Sequence, residues 1–147
     1  MKLISHRGNL NGKHIERENE PQYIREALSR GFDVEIDVWY INEKYMLGHD
    51  EPKHEMPLEF IQDNRLWFHC KNGAALEQLS KYYTKHFYHI SDDYTLTSNG
   101  KIWTYVGAPL LKNSICVLPE IEYDGILENC YGICSDKIDE YKRYENI

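Results

Sequence analysis

Three short fragments put ionisable side chains at the ends of apolar runs: Ile4-Ser5-His6-Arg7-Gly8, Asp33-Val34-Glu35-Ile36-Asp37 and Leu47-Gly48-His49-Asp50. Glu35 and Asp37 stand two apart, so in an extended strand both point to one face while Val34, Ile36 and Val38 point to the other. Two carboxylates side by side repel unless a cation or a proton lies between them. A divalent ion such as Mg²⁺, Ca²⁺ or Mn²⁺ meets that need with oxygen ligands. Histidine titrates near neutrality, and a pair such as His6 and His49 suits one as base and one as acid. Arg7 could clamp a phosphate with its fork of donors, and Gly8 lets backbone or ligand approach closely. Brought to one place by successive strands, these are the parts of metal-assisted phosphodiester chemistry. On strands that do not meet, they would be a solvated sheet edge and ordinary histidines, like His14, His54, His69, His86 and His89.

The elements that must position them are short. Leu3–Ser5 reads as a buried strand, and a polar loop over 9–17 leads to a helix that starts at Pro21 and stops at Gly31. Asp33–Trp39 is the second strand and Lys44–Leu47 the third, after a tight turn at Ile41-Asn42-Glu43. Met56–Ile61 is at most a short helix before a strand at Leu66–Cys70. Ala74–Tyr83 reads as a helix with Ala75, Leu76, Leu79, Tyr82 and Tyr83 on its apolar face. Strand signals then dominate: Phe87–Ile90, Ile102–Val106, Ile115–Leu118 and Gly132–Cys134, with a turn at Asn99-Gly100 and a short closing helix over Lys137–Tyr144. About eight short strands with helices only in the first half point to an α/β fold. The expected form is a reduced or distorted (β/α)8 TIM-type barrel with helices missing in the second half, because such barrels usually need about 250 residues. His6, His49 and the carboxylates would then share the C-terminal ends of the strands, which is the catalytic face of such barrels. The thinly covered flank is one that a partner subunit, as in a homodimer, could cover.

At 147 residues the chain is expected to form a single domain over 1–147 with a real core. A formal charge of -7 argues against nucleic acid or an anionic membrane as the main partner. No apolar run approaches a transmembrane segment, and no secretory leader is expected because the first strand begins at Lys2. Cys70, Cys116 and Cys134 lie in apolar runs where a buried reduced thiol is the usual state. Cys130 and Cys134 form the only close pair, and no second pair completes a zinc site. A cytoplasmic setting follows as the expectation.

His6-Arg7-Gly8, Glu18-Asn19, Glu35-x-Asp37 and His49-Asp50 occur in an order and approximate spacing that resembles the glycerophosphodiester phosphodiesterase family, part of the wider phospholipase-C-like phosphodiesterase group. The likeness covers roughly the first fifty residues, continues more faintly to Lys71, and returns at Gly132-Ile133-Cys134-Ser135-Asp136. It implies a metal-dependent phosphodiesterase of lipid metabolism that hydrolyses glycerophosphodiester-like substrates to an alcohol and a phosphomonoester. It further implies a metal held by Glu35 and Asp37, His6 and His49 as the acid–base pair, and Arg7 and Glu18 at the phosphate or the metal's ligand shell. The family's third metal-binding glutamate, two residues before a lysine, is His69 here, with Lys71 retained for phosphate. An imidazole in the shell makes Mn²⁺ or Zn²⁺ more acceptable than Mg²⁺ or Ca²⁺. Alternatively, His69 binds nothing.

His89, Trp103, Tyr105, Glu120 and Asp136 also fall near strand ends and could line the pocket; Glu120 could replace the missing carboxylate. The alternative function is a catalytically idle domain that binds a phospho-ligand on the same scaffold. An amidohydrolase is a third reading, but it typically needs His-x-His on the first strand, which His6-Arg7-Gly8 does not supply.

Overall fold

Strict alternation along one long strand organises the molecule. In the computed structural model, which describes residues 1–123 and 125–147, β2 (Asp33–Ile41) buries Val34, Ile36 and Val38 on one face and Asp33, Glu35 and Asp37 on the other. Parallel neighbours flank it: β1 (Lys2–His6) on one side, and on the other β5 (Leu66–Cys70), which pairs with β6 (Lys85–Tyr88). Beyond β1 the parallel run continues through β10 (Gly132–Ser135), β9 (Ser114–Val117) and β8 (Ile102–Thr104). Antiparallel strands finish the sheet. β7 (Tyr94–Leu96) pairs with β8, while β3 (Lys44–Leu47) and β4 (His54–Glu55) extend from the far end of β2. The β2–β3 hairpin turns through Asn42 and Glu43, both at positive φ (52° and 63°), which matches a two-residue turn to the twist of its strands.

This mixed sheet curls into a half-barrel, and the expected (β/α)8 TIM-type barrel, even reduced or distorted with helices missing in its second half, is not what forms. The physical reason lies in the connections. Among the described residues only α1 (Pro21–Ser29) and α2 (Gly73–Leu79) are regular helices of more than one turn, and both precede β6. Beyond β6, β7 turns straight back onto β8 as a hairpin, the segment between β8 and β9 carries no helix, and β9 is followed only by the single turn α3 (Pro119–Glu122). The lateral edge is bridged instead by Ser98: its N–H donates to His86 O, its hydroxyl donates to Thr84 O, and its Oγ accepts from His86 N–H.

Helix ends follow the local chemistry. Pro21 opens α1, and Gly31 (φ 90°) closes it in a Schellman arrangement, with Phe32 N–H on Ala27 O and Gly31 N–H on Leu28 O. Asn72 caps α2 by accepting from Ala75 N–H at 2.9 Å, and the same side chain bonds both backbone groups of Tyr40, tying α2 to β2. The helix stops at Leu79, earlier than the periodicity implied. Tyr82 and Tyr83 are therefore exposed, where the apolar pattern had placed them on a buried face. The stretches expected as short helices at 56–61 and 137–144 are 3-10 turns at Leu58–Gln62 and Ile138–Tyr144.

Three apolar clusters result. Val34, Ile36, Val38, Leu66 and Phe68 pack under α1 and α2 outside the sheet, and Leu3, Cys116 and Ile133 pack with Ile138. Inside the curl, Ile4, Trp67, Phe87, Trp103, Ile115 and Cys134 form a solid plug. Asp33 closes the plug from below by accepting from Trp67 Nε1–H (2.9 Å) and Lys85 Nζ (3.1 Å). All four cysteines are buried free thiols. Among the described residues no helix is long and apolar enough to cross a membrane. Apolar side chains on and beside β6 and β7, including Ile90 and Leu96, remain exposed.

Candidate functional site

Above the plug, the inward positions at the C-terminal ends of the parallel strands turn polar. On β1 the inward sequence is Ile4 then His6, on β5 Trp67 then His69, and on β10 Cys134 then Asp136. The alternation that buries the plug thus lifts His6, Glu35, Asp37, His69 and Asp136 into one layer.

The β1–α1 loop is held in uncommon backbone states. Arg7 sits at φ 60° with its N–H on Glu35 O (2.9 Å), and Asn19 sits at φ 65° with its N–H on Arg7 O (3.1 Å). Such conformations cost of order 1–3 kcal/mol each and cluster where geometry must be fixed. Gly8 is required on two counts: φ is 96°, and a Cβ there would meet the Tyr23 ring. Buried Asn9 is the hub of the loop. It donates through Nδ2 to Glu18 Oε2 (2.7 Å) and Asp136 Oδ1 (2.9 Å), and accepts at Oδ1 from Tyr23 Oη–H (2.9 Å).

Glu35 and Asp37 are almost wholly buried, and His69 faces both. The His69 Nδ1 lies 3.2 Å from Asp37 Oδ1 and 3.6 Å from Glu35 Oε1. Asp37 Oδ2 is already engaged, by Asn19 Nδ2–H at 2.9 Å and Arg7 Nε at 3.0 Å. Among the described residues Glu35 Oε1, Glu35 Oε2 and Asp37 Oδ1 have no hydrogen-bond partner, and the His69 ring is the cationic group facing Asp37 Oδ1. Burial works against ionisation of Asp37, but the His69 ring, the Arg7 guanidinium and the Asn19 amide outweigh it and hold the carboxyl below the usual carboxylate range. Burial likewise works against charge on His69, and the Asp37 and Glu35 carboxylates override it, raising the ring to about 9. Donor atoms of Glu35, Asp37 and His69 lie within 4.8 Å of one another, so this cluster could hold a metal ion. The buried carboxylate oxygens without a hydrogen bond fit a cation between them, whether a metal ion or the His69 imidazolium.

His6 is oriented from behind. Its Nδ1 is 2.7 Å from Asp136 Oδ1, which leaves Nε2 toward Glu35 Oε2 at 3.7 Å. Burial alone would raise the Asp136 carboxyl; the bonds from His6 and Asn9 win and lower it, so it stays ionised beside the ring. Glu120 accepts from Ser135 Oγ–H and Asp136 N–H, so it braces Asp136 and does not take the third carboxylate's place. His49 follows Gly48, where a Cβ would run into Glu51 O. Trp39 Nε1–H grips Gly48 O at 2.7 Å, and His49 Nδ1 lies 2.7 Å from Asp50 Oδ1.

His6, Arg7, Glu35, His49, His69 and Lys71 all line one cavity of about 430 Å³. His89, Trp103 and Tyr105 line it as well, with Tyr88 and Ile90, and His89 lies beside His69 on the neighbouring strand end. Glu18, which the resemblance put at the phosphate or the metal's ligands, bonds Arg7 Nη1 (3.3 Å) and Asn9 and lines a neighbouring cavity. The sequence reading missed Asn9, Asn19 as the partner of Asp37, and the pairing of Asp136 with His6. The polar residues following β1 and β10 were the available signal for Asn9 and Asp136; Asn19 gave none beyond its place beside Glu18.

No known family model matches the chain, no characterised protein matches its sequence, and no solved structure matches its fold.

Proposed function

We propose that the chain is a metal-dependent phosphodiesterase for glycerophosphodiester-like substrates, akin in its chemistry to the glycerophosphodiester phosphodiesterase family. One observation supports this: His6, His49, the cationic side chains Arg7 and Lys71, and Glu35 with His69 of the carboxylate–imidazole cluster line one cavity. All but His49 are delivered by the ends of parallel strands, and His49 by the loop after antiparallel β3. The metal would be held by Glu35, Asp37 and His69. A bound divalent ion would neutralise phosphate oxygens and acidify an attacking hydroxyl.

The side chains supply the rest. Arg7 and Lys71 pair with the non-bridging phosphate oxygens. His6 takes the proton of a substrate hydroxyl at Nε2, and the Asp136 carboxylate stabilises the imidazolium that forms. The hydroxyl oxygen bonds to phosphorus, the bond to the leaving alkoxide breaks, and His49 protonates that oxygen. Water then opens the cyclic phosphate with the proton roles reversed, giving a phosphomonoester.

The test is turnover of glycerophosphodiesters and an aryl phosphodiester with added divalent ions or chelator. His6→Ala and His49→Ala should each lower kcat by at least ~10²-fold. Activity that survives both changes sinks the mechanism. A second reading, a phospho-ligand-binding domain without turnover, is favoured by the His69 ring facing both carboxylates, where it can itself serve as their counter-ion. It predicts phosphate-ester binding with no turnover under any metal.

A further inference from the structure

We infer that His69 makes the cluster a nitrogen-bearing centre, ligating through Nδ1 and selecting a borderline ion such as Zn²⁺ or Mn²⁺ over Mg²⁺ and Ca²⁺. The inference rests on the reading that Glu35, Asp37 and His69 hold an ion, and adds which ion and through which atoms.

The orientation of the ring is the first ground. His69 Nε2 is 3.0 Å from the His89 carbonyl oxygen. A carbonyl can only accept, so Nε2 carries the hydrogen, and in the neutral ring the lone pair is on Nδ1. A backbone carbonyl on the distal nitrogen is the usual outer support of a metal-bound imidazole. The ring is also fixed in plane, stacked on Phe87 with centroids 5.0 Å apart and 16° between planes. His69 therefore presents Nδ1 to the carboxylates in a set direction.

The remaining valences point the same way. Asp37 Oδ2 is used by Asn19 and Arg7, which leaves Oδ1 as the oxygen facing Nδ1. With the ring neutral, Nδ1, Asp37 Oδ1 and Glu35 Oε1 face one another as three acceptors. A proton on Nδ1 relieves that arrangement when no ion is bound, and a bound cation relieves it by displacing that proton. The nitrogen-to-oxygen spacings of 3.2 and 3.6 Å suit a small ion. Ligands about 2.1 Å from a tetrahedral ion lie about 3.4 Å apart, whereas Ca²⁺ takes six to eight oxygens at longer range. Imidazole is a donor that Zn²⁺ and its neighbours accept and that Mg²⁺ and Ca²⁺ rarely do.

The experiment is calorimetry of chelator-treated protein with Zn²⁺, Mn²⁺, Mg²⁺ and Ca²⁺, together with ¹⁵N-detected histidine spectra during the Zn²⁺ titration. Zn²⁺ should bind on the order of 10²-fold or more tighter than Mg²⁺ or Ca²⁺. One histidine should keep its Nε2–H while its Nδ1 moves to the metal-bound range, and His69→Ala should abolish that signal. His69→Glu should narrow the gap between Zn²⁺ and Mg²⁺ by restoring an oxygen donor. If either variant fails to fold by circular dichroism, the wild-type spectra decide. Mg²⁺ or Ca²⁺ binding as tightly as Zn²⁺, or no Nδ1 shift, overturns the inference and leaves the phosphodiesterase reading to its turnover assay. No binding of any ion overturns the inference too, and chelator-resistant turnover would then separate a metal-free enzyme from an idle domain.

Discussion

Asp136 and His6 stand 130 positions apart in sequence, yet the Asp136 carboxylate accepts the His6 Nδ1–H at 2.7 Å. Parallel pairing of β1 with β10 brings them together, because Ser5 registers on Ser135 and the next residue of each chain segment turns inward. The carboxylate fixes the ring tautomer and leaves Nε2 as the basic nitrogen. Asp136→Asn keeps the shape but lets the ring adopt the wrong tautomer, so kcat should fall by about 10²-fold or more while KM changes far less. The full steady-state comparison, with a pH profile, checks this; an unchanged kcat would remove Asp136 from the mechanism.

Asn19 is the second positioning residue. Its side chain accepts from Asp37 N–H and donates to Asp37 Oδ2, both at 2.9 Å, while its own backbone holds φ 65°. Asn19→Ala frees the Asp37 carboxylate to rotate and strips a donor from a buried charge. Metal affinity should drop by about 10–100-fold, read by calorimetry. Unfolding in urea should show a loss of about 1–3 kcal/mol from the unsatisfied buried group.

The thiols make a pH prediction. Burial pushes Cys70 and Cys116 up to about 12 and Cys134 well above the ordinary thiol value. The folded state thus keeps protons that the unfolded chain releases from about pH 8.5 upward. Their contribution to stability is complete below that pH and declines as pH rises toward about 12, since folding then has to reprotonate thiolates. Urea midpoints should fall steadily above pH 9, and a Cys70→Ala, Cys116→Ala double variant should flatten that slope. In folded protein at pH 8 a thiol reagent should leave these cysteines unmodified until denaturant is added.

Much of the scaffold was readable locally. Pro21 and Gly31 bracket α1 through φ restriction at one end and a left-handed cap at the other. The bounds of β3 and β5 follow from apolar runs between turn residues. The β4 strand was not readable, because a two-residue strand has no period. The Tyr94–Leu96 strand was missed because its side chains are largely exposed, so no burial pattern marks it. Tyr82 and Tyr83 misled the end of α2, since tyrosine serves core and surface alike.

The sequence by itself determined that Glu35 and Asp37 share a face of β2, because side chains alternate with period two whatever the strand pairs with. It also put His6 and His49 each at the end of a strand, where an apolar run stops. Only the tertiary structure decided that these ends meet, that His69 turns Nδ1 to the carboxylates, and that the sheet is a mixed half-barrel with few helices. Local patterns act over a few residues. Strand order and ring orientation depend on pairing and burial between segments as distant as Ser5 and Ser135, and no local signal encodes those.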